Sequence, residues 1–251
     1  IMNILRGPGG CPWDQEQTIS SLKKYLLEET YELLEVMEGE KYEKHKEELG
    51  DLLLQVIFQS EIRQNEGKFD IYDVIEEINK KLIRRHPHIF SDAEVKNSSE
   101  VSKNWDAIKI LEKNNQDRKS VFDGIPKALP VTLKAEKMQN KAAKVGFDWE
   151  NLEGAVEKMK EEIQEMLDAY KNNDRKNLKE EIGDVFFSLV NVARLAKIDP
   201  YDAFEGTVNK FENRFRYIER NTDINISEIS QMEKLWNEAK MLEKDDTNEI
   251  G

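Results

Sequence analysis

"SLKKYLLEETYELLEVME" (residues 21–38) and "EELGDLLLQVIF" (residues 47–58) decide how this chain folds. In the first, Leu22, Leu26, Leu33, Val36 and Met37 recur near helical spacing, which predicts a helix from Ser20 to about Glu38, stopped at Gly39. The second belongs to a predicted helix from about Lys41 to Asn65, ending at "NEGKFD". Glu29 and Glu32 are three apart and share a helix face, as do Glu48 and Asp51. If the two helices are antiparallel neighbours, the four carboxylates converge. Asp51 opens an apolar run, so burial is expected around it, and buried carboxylates without partners are costly. A bound cation accounts for such a cluster better than a solvated acidic face does.

Working outward, further helices are predicted at 71–85, closing at "HPHIF", and at 101–113. The stretch 114–130, with charge, a glycine and two prolines, reads as a linker, and a connecting helix at 131–145 leads to "VGFDWEN". The pattern then starts again, with helices expected at about 151–172, 175–197, 201–220 and 227–243. Glu29, Glu32, Glu48 and Asp51 have counterparts at Glu162, Glu165, Glu181 and Asp184, and one constant interval separates all four pairs. Lys80 and Arg84 recur as Lys210 and Arg214, and Trp105 and Lys109 as Trp236 and Lys240, at intervals only slightly shorter. Distinct blocks in one order mark an internal duplication. The expected organisation is an N-terminal module at 1–113, a linker and connecting helix at 114–145, a C-terminal module at 146–244 and a frayed tail at 245–251.

The all-oxygen donor set points to a hard cation, Mg²⁺, Mn²⁺ or Ca²⁺. A di-iron reading fails, because the residues three before His45, His86 and His88 are Tyr42, Ile83 and Arg85 rather than glutamates. The lysine and arginine pairs, one helical turn apart, suit polyphosphate oxygens. Trp105 and Trp236 lie on polar helices, where an indole can stack on a base or anchor an interface. Neither a Walker-type nor a dinucleotide-type glycine loop is present.

Bulk composition narrows the classes further. The formal charge of −13 argues against a broad nucleic-acid-binding surface. The longest apolar runs, such as "LLLQVIF" (52–58), are too short to span a bilayer. One cysteine in 251 residues fits a reducing compartment, and a cytoplasmic protein is expected. No signal peptide is read at the start, and Ile1 precedes Met2, as in a chain trimmed from something longer. The turn "GGCPWD" (9–14) is expected to cap and position the first acidic helix, with Asp14 or Thr18 as cap and Trp13 packed against it.

These residues together resemble the MazG family of nucleoside triphosphate pyrophosphohydrolases. The likeness is carried by "GGCPWDQEQT" (9–18), the EExxE…ExxD pattern in both halves, "RRHPHIF" (84–90), and "DGIPKALP" (123–130) leading into "NKAAKVGFDW" (140–149). It implies an all-α fold of two tandem helical modules with four-helix-bundle-type cores. It also implies Mg²⁺-dependent hydrolysis of a nucleoside triphosphate to the monophosphate and pyrophosphate, with Mn²⁺ as a substitute, in nucleotide-pool house-cleaning. On the resemblance, Glu29, Glu32, Glu48 and Asp51, and Glu162, Glu165, Glu181 and Asp184, bind metal. Lys210, Arg214, Trp236 and Lys240 contact substrate, and Lys80, Arg84 and Trp105 are their first-half counterparts. The family commonly has His after the "EQT" threonine, where this chain has Ile19, so the second copy is favoured as the catalytic one. Thin apolar stripes suggest a homodimer. The alternatives are a base-selective relative, such as a dUTP or phosphoribosyl-ATP pyrophosphohydrolase, or a non-catalytic metal-binding scaffold.

Overall fold

The computed structural model describes residues 1–91 and 119–248, together with 95, 97, 100–101, 104–105 and 107–108; for 244–248 it describes the backbone alone. Every regular element among them is a helix, and the chain divides into two compact units, Ile1–Gln116 and Asp117–Gly251.

In the first unit the helices are α1 (Met2–Arg6), α2 (Pro12–Glu16), α3 (Leu22–Val36), α4 (Tyr42–Asn65), α5 (Ile71–Arg85) and α6 (Pro87–Phe90). Three of these, α1, α2 and α6, are too short for a periodic pattern to reveal and stand beside prolines or glycines. α3 packs along α4, and α1 closes one end of the pair. The core is Met2, Leu22, Phe58 and Ile62, backed by Leu5, Ile19, Tyr25 and Ile57. α5 starts at a capping box: the Asp70 carboxylate accepts from the N–H groups of Tyr72 (2.8 Å) and Asp73 (3.0 Å), and the Asp73 carboxylate accepts from Asp70 N–H (3.0 Å). The expected helix at 101–113 falls partly outside the described residues, which are helical at 100–101, 104–105 and 107–108. Lys109, residues 114–118 of the expected linker and 249–251 of the tail also lie outside them.

The second unit holds α7 (Val131–Lys144), α8 (Leu152–Lys171), α9 (Arg175–Leu195), α10 (Pro200–Asn221) and α11 (Ile229–Asn248). The α8/α9 hairpin repeats α3/α4. α7, which the sequence reads as a connector, packs on α9 and α10 and so belongs to this unit. Side-chain caps place the hairpin. Asn151 Oδ1 accepts from Gly154 N–H at 3.0 Å to start α8, and Asp174 Oδ1 accepts from Lys176 (3.1 Å) and Asn177 (3.0 Å) to start α9. Asp199 starts α10 the same way, with Pro200 in the first turn, where its missing N–H costs nothing.

Candidate metal and nucleotide site

Both hairpins bring carboxylates together. Ligand oxygens of Glu29, Glu48 and Asp51 lie within 4.8 Å of one another in the first unit, and those of Glu162, Glu165 and Glu181 do so in the second. Each group takes three of the four carboxylates expected from the sequence, leaving out Glu32 in one and Asp184 in the other. These two stand close by. The Glu48 charge raises the affinity of Glu32 for its proton, and Asp184 does the same for Glu181. Glu29, Glu32 and Glu181 all titrate above the usual carboxylate range, chiefly through burial and then through repulsion from their neighbours. A cation among them would relieve both effects.

Glu48 is the most enclosed of the set, 1% exposed; Lys44 Nζ meets its Oε1 at 2.6 Å, and its buried Oε2 has no hydrogen-bond partner among the described residues. In the second unit Lys158 takes the place of Lys44's ammonium by another route. It bridges Glu161 (2.7 Å) and Glu162 (2.8 Å), and these two hydrogen bonds raise its own proton affinity. An orphaned buried carboxylate oxygen and an all-oxygen donor set fit a hard divalent cation.

The expected burial around the apolar runs is corrected by the structure. Leu53, Leu54, Phe186, Phe187 and Leu189 are all exposed by 40% or more, and Asp184 is exposed. Each hairpin has two faces, and among the described residues the partner helices within its unit cover only one of them.

The turns ahead of the hairpins also correspond. "GCPW" (10–13) and "GFDW" (146–149) stand at matching places before their hairpins, a repeat the Gly-x-x-Trp spacing reveals once the structure points to it. Glycine is needed in both, for different reasons. A Cβ on Gly10 would stand 2.2 Å from the Leu5 carbonyl oxygen, whereas Gly146 has φ +88°. Neither expected residue is the cap of α3: its N-cap is Ser21, which makes no side-chain cap bond, Thr18 Oγ1 accepts from Ser21 N–H at 3.1 Å in the turn just ahead of it, and Asp14 lies within α2. Trp13 does pack on the acidic helix, its ring 5.6 Å from that of Tyr25 and 6.5 Å from that of Phe58. Arg6 lies over the Phe58 ring and donates to the Asp14 carbonyl.

The second unit differs here. Between its turn, α7 and the hairpin lies a cavity of about 540 Å³ whose walls include Gln139, Trp149, Lys158, Asn191 and the carboxylates Glu162 and Asp184. Nothing in the sequence reading points to this cavity. Arg194 locks its turn side: it forks onto Asp148, with Nη1 to Oδ2 at 3.1 Å, and its Nε donates to Asn191 Oδ1 at 2.9 Å. The guanidinium holds the Asp148 carboxyl below the usual range. Because the folded-state pKa is depressed, this contribution is present at neutral pH and is lost as pH falls below about 4. Asp148→Asn is expected to cost about 1–2 kcal/mol, since the pair is only partly shielded from water. Urea melts at pH 7 and pH 3 test this: the difference between wild type and variant is expected to be smaller at pH 3 than at pH 7.

The other candidates sit on α10 and α11. Arg214 reaches Glu243 with Nε (3.0 Å) and Nη2 (2.6 Å) and lies 5.3 Å from the Trp236 ring, which also meets Phe211 at 5.3 Å. These contacts join Arg214 and Trp236 to each other rather than to the Glu162 group. Lys210 acts on Glu243 through charge, and Lys240 lies on α11 beyond Trp236. In the first unit Lys80 pairs with Glu76 (2.6 Å), Arg84 is on the last turn of α5, and Trp105 stands edge-on to His86 at 5.0 Å. Its buried indole Nε1 has no hydrogen-bond partner among the described residues.

Residues 17–90 and 150–218 each match the MazG nucleotide pyrophosphohydrolase domain. The chain is 41% identical to a nucleoside triphosphate pyrophosphohydrolase of Escherichia coli over 98% of its own length and 96% of that protein's. It is 40% identical to the nucleoside triphosphate pyrophosphohydrolase/pyrophosphatase MazG of Thermotoga maritima, covering 96% of this chain and 93% of that one. The uncharacterized protein YabN of Bacillus subtilis is 48% identical over 97% of this chain, a match that spans about half (51%) of YabN.

Proposed function

The chain belongs to the MazG nucleotide pyrophosphohydrolase family, and from that premise we propose that it hydrolyses nucleoside triphosphates to the monophosphate and pyrophosphate at the α8/α9 hairpin of its second unit. The observation that carries this reading is the cavity of about 540 Å³ opening directly beside Glu162 and Asp184. It puts room for a ligand next to a cation-binding group of carboxylates.

Glu162, Glu165, Glu181 and Asp184 would hold Mg²⁺, with Mn²⁺ as a substitute. When bound, the ion supplies charge neutralisation at the phosphate oxygens and a polarised water. The chain's own groups do the rest. A carboxylate of the cluster takes a proton from water as its oxygen bonds to the α-phosphorus and the bond to the bridging oxygen of pyrophosphate breaks. Lys210 and Arg214 offset charge on the departing phosphates, Arg214 exchanging the Glu243 carboxylate for a phosphate of similar fork geometry. Trp236 and Lys240 complete that side. Glu29, Glu32, Glu48 and Asp51 form a second cation site, with Lys80, Arg84 and Trp105 as its partners. Arg214→Ala is expected to raise KM for the triphosphate about tenfold with a smaller change in kcat, as read from pyrophosphate release.

We further propose a homodimer. The exposed apolar residues of α5 (Ile75, Ile78, Leu82) and α10 (Phe204, Val208, Phe211) form stripes that a second copy would cover. A sedimentation mass of twice the chain is expected. Clearing non-canonical triphosphates from the nucleotide pool would place the enzyme in the cytoplasm; among the described residues no helix is long and apolar enough to cross a membrane. The reaction is tested by stripping the protein with EDTA and restoring Mg²⁺: pyrophosphate release should vanish and return. Release that persists without metal overturns the cation's role. Divalent-ion binding with no turnover of any triphosphate favours the scaffold, and turnover confined to dUTP favours the base-selective relative.

A further inference from the structure

The two hairpins share a second local motif, one that the duplication does not account for. "EKHKEE" (43–48) stands at the start of α4 in the first unit, and "EKMKEE" (157–162) stands within α8 in the second. Counted by the interval that relates the carboxylates, these stretches are not equivalent. Asn177 holds the place of Lys44 in the second unit, and Tyr25 holds the place of Lys158 in the first. The pattern therefore lies on the later helix of one hairpin and on the earlier helix of the other. In both it ends at the most enclosed glutamate of the carboxylate group, Glu48 or Glu162.

The two lysines of each motif have different partners. Lys46 pairs with Glu43, and Lys160 with Glu157 (2.8 Å), exposed glutamates one turn back. Lys44 and Lys158 instead span an enclosed glutamate and the exposed one just before it. Lys44 Nζ lies 2.6 Å from Glu48 and 3.5 Å from Glu47. Lys158 Nζ lies 2.8 Å from Glu162 and 2.7 Å from Glu161. An ammonium is a compact charge on a flexible stem, so it can leave one of these carboxylates and stay on the other. While it is engaged, it takes an oxygen that a hard cation would use. Lys44 meets Glu48 Oε1, and the buried Oε2 has no hydrogen-bond partner among the described residues.

We propose that Lys44 and Lys158 are tethered counter-ions of the two cation sites: each neutralises its enclosed glutamate until a divalent cation binds, then withdraws to Glu47 or Glu161. This rests on the reading of the carboxylate groups as cation sites and adds the residue that sets their affinity. An enclosed carboxylate with neither charge beside it is costly, and two cations on it at once repel each other. Because the lysine end of each pair is open to water, the ammonium gives way readily. Each hairpin thus holds its glutamate in place ahead of the ion and binds the ion less tightly for doing so.

Cation binding by the full chain tests this without reference to turnover. Electron paramagnetic resonance follows free Mn²⁺ as it is titrated into wild type, Lys44→Met and Lys158→Met, the methionines keeping an apolar stem without its charge. Each variant is expected to bind one of its two ions about fivefold more tightly than wild type does. Each is also expected to melt lower than wild type in EDTA, and level with it in saturating Mg²⁺. Arginine at either position keeps the charge and should hold the affinity within about twofold of wild type. Should a methionine variant misfold, wild type answers alone: the side-chain ammonium signals of Lys44 and Lys158 in proton–nitrogen NMR spectra, assigned by their loss in the arginine variants, are expected to shift as Mg²⁺ is added. Unchanged or weaker Mn²⁺ binding by the folded methionine variants, or ammonium signals unmoved at saturating Mg²⁺, overturns the counter-ions and leaves the cation sites standing. No Mn²⁺ bound by wild type or by any variant removes the cation reading itself, and the counter-ions with it.

Discussion

Asp184→Asn abolishes pyrophosphate release, by at least about 100-fold in kcat, while Asp51→Asn leaves it within about twofold of wild type. The two aspartates are equivalent in sequence, each following its hairpin's glutamate by three positions. What distinguishes them is what stands beside them. Asp184 borders an open cavity together with Glu162, whereas the ground beside Asp51 is occupied by the Phe58 core. The asparagine is nearly the same size, so the melt of each variant is expected to stay close to that of wild type. Initial rates of pyrophosphate release for the two variants check the assignment. Loss in Asp51→Asn alone would move the active site to the first unit, and equal loss in both would mean that the copies act together.

The second large effect concerns stability. Phe58→Ala is expected to cost the first unit about 3–5 kcal/mol, because Phe58 is almost wholly buried, meets Trp13 edge-on and carries Arg6 over its face. Removing the ring leaves a void between α1, α3 and α4, the void that the second unit already has through its own residues. The matching change there, Asn191→Ala, is expected to cost far less, since no packed core surrounds it. Urea denaturation followed by far-ultraviolet circular dichroism should show the Phe58→Ala midpoint lowered by about 2 M, taking a slope typical of a domain of this size. Asn191→Ala should move it only slightly. A Phe58→Ala penalty no larger than that of Asn191→Ala would contradict the plugged first unit.

Much of this architecture is legible in the residues. The long helices follow from apolar spacing and from where Gly39, Gly67, Asp70, Asp174 and Asp199 stand, because caps and breakers act locally. The duplicated carboxylates are legible for the same reason, since a spacing of three on a helix fixes a shared face. The convergence of two helices is an inference from antiparallel pairing, and the structure brings together three oxygens of each predicted four. Burial is harder to read. "DLLLQVIF" and "DVFFSLV" look like interior helices, yet one face of each stays open because, among the described residues, no helix of its own unit covers it.

The cavity illustrates what spacing does not carry. It depends on side-chain volume at Ala155, Lys158 and Asn191, three positions on two helices, and on a turn whose kinship to "GCPW" is hidden by Phe147 and Asp148 standing where Cys11 and Pro12 stand. Arg214 offers a similar lesson. Its charge and its place one turn after Lys210 suggest phosphate, while its partner in the fold, Glu243, lies on another helix. Pairing across such a distance is settled by packing rather than by pattern.

Phosphorus NMR of a single reaction tests the central claim most directly. Purified protein, Mg²⁺ and ATP are combined, and the products are identified as they form. The account predicts AMP and pyrophosphate in equal amounts, with no build-up of ADP. ADP with inorganic phosphate, or ATP left intact by folded protein in this and every other triphosphate offered, would contradict it.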